Sequence, residues 1–147
     1  MSVRSYITAL SSALEGASMT TGAGEPMRSA QRDPHYPVAL PAWRLFAVLS
    51  TGAPLDAGIV GTVEREYIET LSVDVVYVRG GPSTEDDRRT IAEDAITITR
   101  VLIDATLWGA HVDQLDAGAA TIDTETGADG DLVGYTLRVP FSVHYRG

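Results

Sequence analysis

Three histidines, His35, His111 and His144, are the side chains of this sequence best suited to acid–base or metal chemistry, and they lie far apart along the chain. Metal sites built on helices and hairpins need ligands at short spacings, so all three read as surface residues. There is no cysteine, which excludes thiolate nucleophiles, thiolate metal ligands and disulfides. The serines have no nucleophile-elbow context. Gly22-Ala23-Gly24 and Gly80-Gly81 are too short for a phosphate-cradling loop and lack the lysine such loops use. The run 127–131 resembles a fragment of a calcium loop without its length or its closing Glu. Paired carboxylates occur at Asp86-Asp87 and Glu93-Asp94, on a helix start and a helix surface, where the helix dipole and solvation account for them. The expectation is a protein with no cofactor, no metal and no catalytic activity.

The elements that carry these residues can be read from periodicity. Ser83 and Thr84 precede Glu85, Asp86 and Asp87 in the manner of a capping box, and the acids sit where a helix start is electropositive. Ile91, Ala95, Ile98, Leu102 and Ala105 then recur at spacings of four and three, with Glu93, Thr97, Arg100 and Asp104 opposite. The alternating β-branched run 96–99 would suit a strand. About 25 residues without Gly or Pro are long for a strand and ordinary for a helix, so the spacing predicts one amphipathic helix over 83–108.

Tyr6, Ile7, Leu10 and Leu14 predict a short helix over 2–15, stopped at Gly16. The segment 16–41 is rich in Gly and Pro and reads as an irregular arm that orders against a partner. Residues 43–79 read as two strands. The first, 43–49, is apolar on both alternations, and 51–61 is a flexible connection. The second alternates, with Leu71, Val73, Val75 and Tyr77 on one side and Thr70, Ser72 and Asp74 on the other. A final hairpin spans 119–146, turning at 127–131. Its last strand points Tyr135, Leu137, Val139, Phe141, Val143 and Tyr145 one way and Thr136, Arg138, Ser142, His144 and Arg146 the other. Pro140 cannot donate to a ladder, which predicts an edge strand or a bulge there. The expected architecture is one α+β domain, a sheet of about four strands in mixed or antiparallel order, covered by the long central helix, with the short N-terminal helix beside it. Leu71, Val73, Val75, Ile91, Ala95, Ile98, Leu102, Leu137, Val139 and Phe141 are the expected core.

With 147 residues the chain fits one domain with a core that needs no staples. No apolar run reaches the roughly 18 residues of a membrane span, and no signal-peptide core follows Met1, so the chain is expected to stay in the cell that makes it. The formal charge is −9, and every one of the 11 basic residues is Arg. Between Val101 and Leu137 there are acids at Asp104, Asp113, Asp116, Asp123, Glu125, Asp129 and Asp131 and no Arg. Such a surface repels phosphates and argues against tight nucleic-acid binding.

An ordered set of features then carries a resemblance. It begins with a Pro-preceded strand ending in Thr51-Gly52-Ala53, followed by an irregular loop. The strand Glu69-Thr70-Leu71-Ser72-Val73-Asp74-Val75-Val76-Tyr77-Val78 comes next, then a start at 82–87 that opens the long helix. An acidic hairpin closes the chain. In these features residues 37–147 resemble the tail-terminator (tail-completion, lambda-type minor tail protein) family of long-tailed bacteriophages, and the N-terminal helix fits as well. The Gly/Pro segment 16–36 departs from that pattern. The resemblance implies a structural virion protein: a ring, hexameric in that family, at the head-proximal end of the tail, made in the host cytoplasm. Its partners would be further copies of itself, the tail tube protein and the head–tail connector or neck protein, with DNA passing through the lumen without specific binding. Arg79, Arg88, Arg89 and Pro140 are the expected subunit-interface residues. Asp113, Asp116, Asp123, Glu125, Asp129 and Asp131 are the expected acidic lumen face. A neck protein of the same virion and a small α+β ligand-binding or regulatory module are the alternatives.

Overall fold

A computed structural model describes residues 2–16, 28–29, 44–60, 64–78 and 84–146. Strands dominate it. The elements in chain order are α1 (Val3–Gly16), β1 (Arg28–Ser29), β2 (Arg44–Ser50), β3 (Leu55–Val60), β4 (Glu64–Val78), α2 (Thr84–Leu102), α3 (Ala105–Trp108), β5 (Gln114–Ala117), β6 (Thr121–Thr126) and β7 (Leu132–Arg146).

The expected sheet of about four strands under one long central helix is wrong. Six strands form a single antiparallel sheet, joined by the two-residue β1 lying parallel to β2. Its axis is β4 against β7, two strands of 15 residues each. They pair from Glu66 opposite Arg146 to Val78 opposite Gly134. Each long strand carries two shorter ones end to end on its outer side. On β4 these are β2, against residues 71–77, and β3, against 64–68. On β7 they are β5, against 141–144, and β6, against 132–138. Strands β2-β3-β4 and β5-β6-β7 therefore follow one plan, related by a pseudo-two-fold at the centre of the β4–β7 ladder.

The flexible connection expected over 51–61 thus contains β3, and the connection after the helices contains β5. Both are short, Gly- or Asp-bearing segments without alternating apolar residues. Only a long partner strand makes their pairing favourable, because isolated short strands are marginal. The irregular arm expected over 16–41 lies outside the described residues apart from Gly16 and β1.

The expected helix over 83–108 is broken. Thr97 and Thr99 hydroxyls donate back to the carbonyls of Glu93 (3.3 Å) and Ala95 (2.8 Å), a competition that weakens a β-branched helix. Asp104 then takes an extended conformation, and its side chain accepts the Thr106 amide at 3.0 Å, capping α3. An N-cap inside the run restarts the helix. Ser2 plays the same part for α1, its Oγ accepting the Ser5 amide at 3.1 Å. The helical layer is consequently α1 and α2 together. Among the described residues no helix is long and apolar enough to cross a membrane.

Alternation decides the core. Direct antiparallel partners share a face, so Leu71–Phe141, Val73–Val139, Val75–Leu137 and Tyr77–Tyr135 line the helix side, joined by Phe46. Against them pack Tyr6, Leu10 and Leu14 of α1 and Ile91, Ile98 and Leu102 of α2, all buried. The expected core positions are all found there, with Ala95 only partly covered. Two tyrosines do more than fill space. Tyr77 donates its hydroxyl to Asp94 on α2 at 2.9 Å, and Tyr135 donates to Asp87 at 3.2 Å. Asp94 is therefore fully buried in the helix–sheet seam, not on the helix surface as its charge led us to expect. Because Asp87 and Asp94 lie two helical turns apart, the pair fixes both the position and the rotation of α2.

Truncating Leu102 or Phe141 to Ala should cost about 2–5 kcal/mol each, read by denaturant unfolding; unchanged midpoints in both would refute this core. Tyr6 gives a second test. Its ring packs edge-on to Phe141 at 6.2 Å, and its buried hydroxyl finds no hydrogen-bond partner among the described residues. Burial raises its pKa well above the usual tyrosine value. The unfolded chain ionises first as pH rises, so the stability tied to this group is complete below about pH 10 and lost above it. Tyr6→Phe should be about 0–2 kcal/mol more stable at neutral pH and lose less stability in alkali.

Candidate functional site

The helices leave the other face of the sheet uncovered by any described helix, and the alternation that built the core loads this face with charge. The even-numbered residues of β4 and β7 point here; the polar ones are Glu64, Glu66, Thr70, Ser72 and Asp74 from one and Thr136, Arg138, Ser142, His144 and Arg146 from the other, with Ile68, Val76 and Pro140 among them. The register of β5 and β6 adds Gln114 and Asp116, then Thr121, Asp123 and Glu125. Six carboxylates thereby share a face with two guanidinium groups and one imidazole.

Each basic side chain of this face lies against acids. Asp74 is fully buried. It takes a forked pair of bonds from the directly opposed Arg138, Nε at 3.1 and 3.2 Å and a terminal nitrogen at 2.9 Å, plus the Ser72 hydroxyl at 2.8 Å. Such bidentate, charge-assisted contacts are the strong ones. His144 stands between Glu66 and Asp116, each 3.4 Å from one ring nitrogen. Arg146 reaches Asp113 at 3.4 Å and Glu64 at 4.0 Å. Thr136 donates to Glu125 at 3.1 Å. The two carboxylates flanking His144 come from opposite neighbours of β7, Glu66 of β4 and Asp116 of β5, so these contacts join three strands. Among the described residues no group of three or more His, Cys, Asp or Glu could hold a metal ion. What the face can do is present negative charge that its own cations do not neutralise.

The expected lumen acids separate. Asp116, Asp123 and Glu125 lie on this face, Asp113 flanks its β5 end, and Asp129 and Asp131 sit in the turn between β6 and β7. There the Asp131 amide donates to Asp129 at 3.1 Å and holds its carboxyl below the ordinary range, while Gly130 supplies the positive φ of the turn. The expected edge at Pro140 is a correction: β7 is paired on both sides. Pro140 O accepts the Gly118 amide at 2.8 Å, so its missing donor faces the gap where β5 ends before β6 begins. A proline fits an interior strand when the neighbouring ladder breaks beside it. The reason for placing Pro140 in a subunit contact lapses with that. Arg79 lies outside the described residues. Arg88 and Arg89 are exposed on α2, Arg88 lying 6.0 Å from the Tyr135 ring centre. Of the histidines, His35 lies outside the described residues, and His111 is half-buried with Nδ1 2.9 Å from the Ser5 hydroxyl.

Sequence reasoning placed Asp74 and Arg138 each on the polar side of a strand, but not against each other. A strand of the form Ser-Val-Asp-Val-Val and another of the form Leu-Arg-Val carried the signal, and only the register joins them. Arg138→Met keeps the aliphatic stem and removes the fork, and should cost about 1–3 kcal/mol in chemical denaturation. A variant as stable as the parent would show that the fork does not hold the sheet. A scan against protein-family models and a search of curated proteins return no match to this chain.

Proposed function

We propose that this chain is a structural virion protein of a long-tailed bacteriophage, a subunit of a ring that caps the tail tube and joins it to the head connector. The observation that carries the reading is the acidic sheet face that no described helix covers, taken with the ordered resemblance described above. A lumen through which DNA slides must not hold phosphates, and a face with six carboxylates whose cations are already engaged by acids repels them. The helix side of the same sheet supplies an independent core, which leaves the exposed Glu64, Asp116, Asp123 and Glu125 of the other face to line a channel. In this reading DNA passes without specific binding, and the partners are further copies, the tail tube protein and the connector.

A neck protein of the same virion shares these features and differs only in position. A ligand-binding module is less favoured, because the groove lined by Ala13, Arg100 and Leu107 and the one lined by Arg88, Ile96 and Ile122 are open to the surface, whereas small-molecule sites are enclosed.

Light scattering after size exclusion should give the mass of a closed ring, and negative-stain micrographs of the purified protein should show it. The double change Arg88→Glu, Arg89→Glu should weaken assembly while leaving the circular dichroism of the subunit unchanged, since charge pairs of this kind govern orientation. A wild-type chain that stays monomeric and that antibody labelling fails to find at the head–tail junction would refute the proposal. Labelling on the connector side of that junction would favour the neck protein.

A further inference from the structure

We infer that the β3–β4 hairpin of one copy seats in the groove between α2 and β6 of the next. This rests on the ring reading and names the contact that would close it. The two surfaces lie on opposite sides of one sheet, β3 on the outer edge of β4 and β6 on the outer edge of β7. Contacts between two different patches run head to tail and close when the rotation allows.

The hairpin carries what a buried contact needs. Leu55 and Ile59 are 65% and 66% exposed, the two most exposed large hydrophobic side chains among the described residues. A bulge between Asp56 and Gly58, with Gly58 at φ 113°, puts Leu55 opposite Ile68 and Ile59 opposite Arg65, so the two project from opposite faces of β3. A strand with an apolar group on each face suits a groove with two walls. The paired residues of the two strands are also held in advance. Arg65 Nε donates to Asp56 at 2.8 Å, the Gly58 amide donates to the same carboxylate at 2.9 Å, and Tyr67 stacks on Tyr145 at 5.6 Å. Preorganisation lowers the entropy cost of docking.

The groove is about 530 Å³, with Ala92 and Ile96 of α2 on one wall and Ile122 of β6 on the other. Ile96 is 53% exposed. Arg88 and Arg89, the chain's only adjacent arginines, stand on its rim with Glu85 and Glu93. On the face that carries Ile59 the hairpin brings Asp56 and Glu69 against the single Arg65, so the arginine end of the groove attracts it and the glutamates of the groove fix its direction. Edge-to-edge strand pairing is the competing geometry. The bulge in β3, a second register shift at Glu125/Thr126 and the acids of β6 oppose it, since bulges and like charges blunt sheet edges.

The chain has no cysteine, so introduced ones report cleanly. Ile59→Cys with Ile96→Cys in one chain, mildly oxidised, should give a disulfide-linked ladder reaching the copy number of the ring, while each single variant stops at dimer. Ile59→Asp should raise the apparent dissociation constant of assembly about ten- to a hundredfold with the melting temperature unchanged. Rings that form without the 59–96 ladder, or that cross-link instead through Ile59→Cys with Asp123→Cys, overturn this contact and leave the ring standing. A 59–96 ladder that stops at dimer upholds the contact and overturns the ring. A chain that is monomeric at every concentration and gives no cross-link overturns the contact.

Discussion

The β4–β7 ladder is the constraint on which the remaining structure depends. Two 15-residue strands in one register assign every side chain along them to the helix side or the open side. A slip of one residue would exchange the faces, burying Arg138 and Asp116's partner His144 while exposing Leu137 and Phe141. Apolar burial on one side enforces the register, and the Asp74–Arg138 fork on the other agrees with it. The same ladder sets Tyr77 beside Tyr135, whose hydroxyls hold Asp94 and Asp87 of α2. Those two bonds tie the helix to one place on the sheet.

Because both long strands are more than twice the length of their outer neighbours, each is flanked by two short strands with a break between them. On β4 the break falls at 51–54, where the Thr51 amide still reaches Thr70 O at 3.0 Å; on β7 it falls at 118–120, beside Pro140. The plan is doubled, but the sequences filling it differ. One outer edge ends in a hairpin with exposed Leu55 and Ile59, and the other in an acidic strand beside a helix groove. A symmetric scaffold with unlike edges is suited to heterologous self-association.

The open face is organised by charge in the same economical way. Among the described residues its basic side chains all sit on β7, and the acids that engage them come from β4 on one side and from Asp113 and Asp116 at β5 on the other. Every guanidinium that stitches the sheet is therefore also one withheld from phosphate. Cohesion of the sheet and repulsion of a polyanion are served by one arrangement, which is why the proposed conduit needs no separate lining.

The sequence by itself determined the faces. A period of two fixed Leu71 to Tyr77 and Tyr135 to Tyr145 as strands with an apolar side, and a period of 3.6 fixed Tyr6, Leu10 and Leu14 and Ile91, Ile98 and Leu102 as helix stripes, because these rhythms depend only on local backbone geometry. The hairpin turn at 127–131 was equally local. Tertiary structure decided the rest. β3 and β5 have no rhythm of their own and exist because a long strand offers them partners. Pro140 reads as an edge signal until the gap between β5 and β6 is known to lie beside it. Asp94 reads as a solvated helix charge until Tyr77, 17 residues away, is seen to donate to its Oδ2 in the core. The same holds for the candidate site, where the acids were legible and their partners were not. Which charge meets which is a matter of register between distant strands, and no short window of sequence contains both ends of that information.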